Sequence, residues 1–410
     1  MSTPGSIDRW RVTFCVVVFL SLSISISETV SAAVRDVCDD IPWWTPSHNY
    51  QKGDPVQRAG RSFVAIRPNK GDRPGAGSQS LAWKETRECL VETEVLDPLP
   101  VAQGKDLSMF ERLPIDDPYI DVHRIYDGIF AIRERFTEFE FEDVNAYLIV
   151  GTRKALLFDS GLGLGRFKQI VDELTDKPVL LVNSHYHYDH VAANFEFPFI
   201  MAADDQYTRI GQRGIGNAKL IEFFKVAYLG LGDEVGSQYH IEPYHVDVYL
   251  RDKTRINIGG VELEVITSPG HTPDSIVLLD EERGLMFTGD VFYQSGLLAH
   301  LPESNIDSYY ETSQKLAALQ HKVRRILPNH SVPMADGNAI TRMAEAFTAI
   351  KKGKVGSPIG GGVLCHSFGG FQVIFREDPG AKKPGHDEDP IDLEALDACF
   401  LVKPTGQARP

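Results

Sequence analysis

Cysteine is scarce in this chain, five residues in 410. Cys15 falls in the N-terminal apolar stretch. Cys38, Cys89, Cys365 and Cys399 all stand apart from the histidine cluster described below, so any metal site written there is built without thiolate. Basic charge is also thin. Lys and Arg number 42 against 57 Asp and Glu, a net charge of −15, with no basic run beyond Lys351-Lys352-Gly353-Lys354. Binding to nucleic acid is carried by clustered Lys and Arg, so a nucleic-acid partner is excluded. Past the first thirty-odd residues the chain has no apolar run approaching the ~20 residues a membrane span needs.

What is present at the N-terminus reads as a secretory signal over residues 1–33. Arg9 and Arg11 supply the positive region, Val12 to Ile26 the apolar region, and Val30-Ser31-Ala32-Ala33 small residues for cleavage. The apolar run is diluted by Ser21, Ser23 and Ser25, which favours cleavage over an uncleaved anchor. The expectation is a secreted or periplasmic protein with no membrane attachment after cleavage. The four remaining cysteines are an even number for an oxidising compartment. Of their three possible connectivities, Cys38–Cys89 and Cys365–Cys399 is the expected one, each pair bracketing one end of the chain.

The densest chemistry is His185-Tyr186-His187-Tyr188-Asp189-His190, three imidazoles and a carboxylate directly after the apolar run Val179-Leu180-Leu181-Val182. Imidazole nitrogen and carboxylate oxygen are ligands that zinc and similar divalent ions prefer. A buried strand that stops in a loop can present them rigidly. Three further segments repeat the device. His271 follows the alternating strand Val261–Ile266 in a Pro/Gly-punctuated turn, Asp290 ends Leu285–Gly289, and His330 ends Arg325–Asn329. A lone His or Asp after a strand is usually a cap or turn residue. Several such ends in one chain, the first so dense, point instead to a metal site.

These residues resemble the metallo-β-lactamase-fold superfamily over about residues 120–355, with Asp159 in Leu157-Phe158-Asp159-Ser160-Gly161 at the place of the family's early aspartate. The resemblance implies two Zn2+ ions, iron being possible. His185, His187 and His271 would hold one and Asp189, His190 and His330 the other, with Asp290 between them. It also implies an α/β (α+β) fold, an αββα sandwich with the ligands along one edge. Val191-Ala192-Ala193-Asn194 stands where a Gly-Gly pair is common, and Asn329-His330-Ser331 where glycines often flank the last histidine.

Two divalent ions about 3.5–4 Å apart acidify a water and polarise a carbonyl or phosphoryl oxygen. Asp189 is the candidate general base. Tyr293, three residues after Asp290, is either a phenol donor to a developing oxyanion or a rim or core aromatic; an Asp followed by Tyr at this spacing is similar to the quorum-quenching lactonase branch. The expected activity is hydrolysis of a small-molecule ester, lactone, thioester or amide. Two alternatives stay open: iron-dependent oxygen or sulfur chemistry on the same fold, against which His187 stands where the flavin-partnered di-iron branch usually has Glu, and a polysaccharide-binding protein with a secondary metal domain.

Residues 34–95 read as a small all-β module. Its Trp43, Trp44, Tyr50, Gly53, Asp54, Gly60, Phe63 and Trp83 resemble family 5/12-type carbohydrate-binding modules, often chitin-directed. Trp43, Trp44 or Tyr50 would form a sugar platform; the alternative is a cap with its aromatics buried. Residues 96–119, with Pro98, Pro100, Pro114 and Pro118, read as a linker. The catalytic domain is expected over 120–375 and a tail over 376–410. Within the domain, His123–Phe136 and Asn145–Ile149 read as strands, Gly165–Leu174, Ser304–His321 and Asp336–Lys351 as helices (the last capped by Asp336), and Val363–Phe375 as a hairpin. Loops near 203–245 and 292–303 are expected to cover the metals. The first is rich in Tyr207, Phe223, Phe224, Tyr228, Tyr239 and Tyr244, and Tyr293–Leu301 in the second lacks Lys and Arg. This favours a neutral acyl substrate over a phosphodiester, with lactone or ester ahead of β-lactam.

Overall fold

The computed structural model describes residues 107–134, 143–220, 239–354, 356–360 and 362–376, with short backbone strands between 49 and 88. The expected signal, the tail beyond Arg376, and the disulfide partners Cys38, Cys89 and Cys399 lie outside the described residues; Cys365 is disulfide-bonded. Between 49 and 88 the backbone forms a two-stranded and a three-stranded antiparallel sheet. Trp43 and Trp44 lie outside the described residues.

Apolar runs that alternate with helices build two central sheets. The first has eight strands in the order Val248–Leu250, Ile200–Ala203, Val179–Val182, Ala155–Phe158, Val144–Val150, Ile129–Glu134, Ile120–Tyr126 and Glu111–Arg112. Its first four strands are parallel and the rest antiparallel. The second has six: Arg255–Asn257, Glu262–Thr267, Ile276–Asp280, Leu285–Gly289, Arg325–Pro328 and Ala335–Asp336.

Period-two alternation assigns each strand two jobs. Leu156, Phe158, Tyr147 and Ile149 meet Leu263, Val265, Leu278, Phe287 and Leu327 in the core between the sheets. Their neighbours Ala155, Leu157, Ala146 and Leu148 face outward against Phe167, Ile170 and Val171 of the helix Phe167–Leu174. On the far side, Ile266, Val277, Met286 and Ile326 pack on the helices Ile306–Ala317 and Ala339–Lys351. Because both faces are covered, the central strands read as continuous apolar runs. The layers are helix, sheet, sheet, helix.

Several elements differ from the sequence reading. The stretch His123–Phe136 is the arm of a hairpin, Ile120–Tyr126 and Ile129–Glu134. It folds at Asp127-Gly128, where Gly128 takes φ 68°, a turn that an Asp-Gly pair favours. The second half of the proposed linker is integral: Glu111–Arg112 adds the eighth strand and Phe110 is buried between the sheets. Prolines there shape turns rather than a spacer. Asp336 is not the N-cap of Ala339–Lys351, since Asn338 holds that position without a side-chain bond. Asp336 lies in a two-residue strand, and its Oδ1 accepts from the Asn338 amide at 2.9 Å. Part of the expected loop 292–303 is a strand: Gly296–Ala299 pairs in parallel with Gln372–Arg376, giving a third sheet completed by the hairpin Val363–Ser367 and Gln372–Arg376 and by Ser357–Pro358. Within the expected loop near 203–245, Gln206–Gly211 is a short helix capped by the Asp205 side chain. Residues 221–238 lie outside the described residues.

Candidate metal centre

Five strands end at one edge of the sandwich, and each delivers a polar side chain there. Ala155–Phe158 leads to Asp159, Val179–Val182 to His185, Glu262–Thr267 to His271, Leu285–Gly289 to Asp290 and Arg325–Pro328 to His330. Two glycines permit the approach. Gly289 takes φ 53°, and a Cβ there would stand 2.6 Å from the Ser184 Cβ. At Gly270, before His271, a Cβ would stand 2.6 Å from the Tyr309 Cα. Any larger residue at either place would push a ligand-bearing turn off its strand.

The seven expected ligand residues gather in two buried groups: His185, His187 and His271, then Asp189, His190, Asp290 and His330. Within each group one nitrogen or oxygen per residue lies within 4.8 Å of every other. Asp290 joins the two. Its Oδ2 lies 3.5 Å from His271 Nε2 and 3.2 Å from His330 Nε2, while its Oδ1 lies 3.3 Å from His190 Nε2. Asp189 Oδ2 sits between His190 Nε2 at 3.3 Å and His330 Nε2 at 3.2 Å. His185 Nε2, His190 Nε2 and Asp290 Oδ1 are buried without a hydrogen-bond partner. Buried polar atoms are rarely left so, and these three point into the cluster, where a cation would satisfy them. The residues fit divalent ions.

Electrostatics favour the same fit. Burial, helped by neighbouring imidazoles, drives His185 well below its usual range and His271 down to about 4, so both are neutral with a lone pair to offer. In the second group, burial alone would raise both carboxyls. The His190 and His330 rings instead hold Asp189 and Asp290 well below the usual carboxylate range. Against the pull of burial, those carboxylates raise His330 to about 10 and His190 well above normal. The protons on these two rings are what a divalent cation displaces.

The far side of four of the five rings is also held, His330 Nδ1 being buried without a hydrogen-bond partner among the described residues. His190 Nδ1 donates to Asp159 Oδ2 at 2.7 Å, His271 Nδ1 donates to the Leu298 carbonyl at 2.9 Å, and His185 Nδ1 lies 2.9 Å from Ser184 Oγ. His187 Nε2 donates to Glu303 Oε1 at 2.8 Å, an acceptor shared with the Tyr186 hydroxyl at 3.0 Å. Such outer contacts fix tautomer and ring orientation. Glu303 escaped the sequence reading because it sits in a loop with no periodic or motif signal. Leu298 escaped because it acts through its backbone.

Tyr293 is placed beside the cluster, its ring centroid 5.3 Å from that of His330. Its hydroxyl, however, donates to the Gly296 carbonyl at 2.7 Å, and the side chain belongs to the core beneath the third sheet. The phenol proton therefore serves the 293–296 turn rather than an oxyanion, which favours the core-aromatic alternative. Tyr293→Phe is expected to change kcat by less than about tenfold, short of the 10²–10³ seen for an oxyanion donor. It should cost about 1 kcal/mol of stability for the lost hydrogen bond. Steady-state kinetics with thermal unfolding checks both, and a loss of kcat near a thousandfold would return the phenol to the chemistry.

Of the expected aromatic wall, Tyr207 meets Tyr186 beside His187 with ring centroids 5.3 Å apart and the planes tilted by 54°. Tyr239 turns inward, donating to the Leu162 carbonyl at 2.6 Å, and Tyr244 packs among buried apolar side chains. Phe223, Phe224 and Tyr228 lie outside the described residues.

Residues 140–330 match the family described as the Metallo-beta-lactamase superfamily. The chain is similar to Acyl-coenzyme A thioesterase MBLAC2 of Bos taurus, 29% identical over 226 residues that span 50% of this chain and 78% of that protein. The Homo sapiens protein of the same name is 28% identical with the same coverage. Among solved structures, a metallo-beta-lactamase family protein from Thermus thermophilus is 21% identical over 56% of this chain and 81% of its own, with a TM-score of 0.43.

Proposed function

We propose that this metallo-β-lactamase-fold hydrolase cleaves an acyl thioester or ester at a centre of two divalent ions, with zinc as the resident metal. The observation that carries the reading is the shared carboxylate, Asp290, set between a three-histidine group and a second group of its own with Asp189, His190 and His330. Ions held there would supply Lewis acidity to an acyl carbonyl and acidify a water beside it.

The chain's own residues supply the rest. His185 and His271 offer neutral nitrogens. Against the pull of burial, the Glu303 carboxylate raises His187 above its usual range, so that a cation at its Nδ1 would displace a proton. Asp189 is the carboxylate that takes a proton and returns it to the leaving group. Tyr186, Tyr207 and Glu303 flank His187 at this edge, and the segment Tyr293–Leu301 carries no Lys or Arg to clamp a phosphoryl group. The reacting end of a thioester or ester is neutral and suits such surroundings. The thioester stands first because the two relatives are named as acyl-coenzyme A thioesterases. Export, and attachment to a polysaccharide such as chitin through residues 38–95, rest on the sequence.

The test is a substrate panel run on the zinc-loaded full chain: an acyl thioester, acyl lactones, an aryl ester, a chromogenic β-lactam and a phosphodiester. Thioester or ester should turn over fastest, and fastest turnover of the phosphodiester overturns the proposal. Removing metal with a chelator should abolish turnover, and zinc should restore it. Elemental analysis of protein purified without added metal checks identity; stoichiometric iron with a visible absorption band overturns zinc.

A further inference from the structure

We infer that Glu303 is a positioning residue that commits His187 to bind through Nδ1 and thereby governs the three-histidine group separately from its neighbour. The inference rests on the reading of both groups as metal sites. His187 is the odd member of its group. In His185 and His271 the Nδ1 atom is engaged, by Ser184 Oγ and by the Leu298 carbonyl, so that Nε2 faces the cluster. His187 is reversed. Its Nδ1 lies 3.1 Å from His271 Nε2, while its Nε2 is bound by Glu303 at 2.8 Å.

A neutral imidazole carries one proton on one of two nitrogens, and a carboxylate can only accept. Glu303 at Nε2 therefore keeps the proton there and leaves the Nδ1 lone pair for the metal. The carboxylate is itself braced by the Tyr186 hydroxyl at 3.0 Å. The two residues after it secure the other moving part of the same group. Ser304 Oγ donates to the His271 carbonyl at 2.7 Å, and the Asn305 amide donates to the Gly270 carbonyl at 2.9 Å. Residues 303–305 thus hold His187 and the His271 turn together. The outer contacts of the second group run instead through Asp159, which accepts from His190 Nδ1 and from Asn329 Nδ2.

The experiment titrates zinc into the metal-free full chain against a chromogenic chelator and measures retained zinc after dialysis. Glu303→Ala should weaken one of the two sites about 10–100-fold and leave the other unchanged. His185→Ala supplies the pattern expected when the three-histidine group alone is damaged. Glu303→Gln, whose amide oxygen still accepts from Nε2, should stay within several-fold of wild type, and the confinement of the Glu303→Ala loss to one site is what a residue serving only the fold's packing would not predict. Circular dichroism and thermal unfolding establish that each variant is folded. Wild-type affinity at both sites in Glu303→Ala, equal weakening of both, or no rescue by Glu303→Gln overturns the inference. Failure of the wild-type chain to bind zinc overturns the metal reading and the inference with it, so the two failures are distinguishable.

Discussion

Asp189→Ala is expected to lower kcat/KM by about 10³-fold or more while the chain stays folded. The size follows from two losses at one side chain. A general base contributes about 10²–10⁴, and Asp189 is also one of four residues whose ligand atoms crowd the second group. Its Oδ2 is what stands between His190 and His330. Without it, Asp290 alone faces the two rings, and a cation there loses a charged oxygen. Asp189→Asn separates the effects. The amide oxygen can still meet an ion but cannot take a proton at neutral pH, so metal content should survive better than turnover. The measurement is kcat/KM with zinc content for both variants, on protein shown to be folded by circular dichroism. A folded Asp189→Ala protein with unchanged turnover removes Asp189 from the chemistry.

The centre was legible because its densest part is local. His185 to His190 lie within six residues of one apolar strand end, and a ligand set so compact leaves a pattern that no burial or helix face imitates. Asp290 and His330 were readable for the related reason that each follows a short, largely apolar run, Leu285-Met286-Phe287 and Ile326-Leu327-Pro328, which is what strands covered on both faces look like. What stayed hidden depends on distant partners. Gly296–Ala299 becomes a strand only because Gln372–Arg376 lies alongside it, and its Leu298 carbonyl then fixes His271. Glu303 gains its role from a ring more than a hundred residues earlier. The hairpin at Asp127-Gly128 is a different kind of miss, since its turn signal was present in the sequence and the continuous alternation on either side masked it. Tyr293 shows the limit of spacing as evidence: three residues after Asp290 places the ring beside His330, but the direction of the hydroxyl is set by the Gly296 carbonyl.

Asp159→Ala should cost about 3–5 kcal/mol of stability in the metal-free chain and should weaken zinc binding by about 10–100-fold. Asp159 touches no substrate in this reading; it is where four chain segments are tied. Its Oδ1 accepts from the Ser184 amide at 2.6 Å. Its Oδ2 accepts from Ser184 Oγ at 2.6 Å, His190 Nδ1 at 2.7 Å and Asn329 Nδ2 at 2.7 Å. The carboxylate is fully buried, and burial raises its pKa against the pull of His190, so the fold bears a desolvation cost that only these donors offset. Removing the acceptor strands all four donors in a dry interior, each a costly loss when one partner is charged. The backbone adds a constraint, since Asp159 sits at φ 69°, a conformation that Asp and Asn tolerate better than Ala. Asp159→Asn keeps that tolerance and one acceptor oxygen but turns an amide NH2 towards donors, so its stability should fall between those of wild type and Asp159→Ala. Urea unfolding of metal-free protein and zinc titration of the folded variants measure the two effects. A metal-free Asp159→Ala chain within about 0.5 kcal/mol of wild type, binding zinc as tightly, would mean that the strand ends and the His190 ring hold their places without this carboxylate.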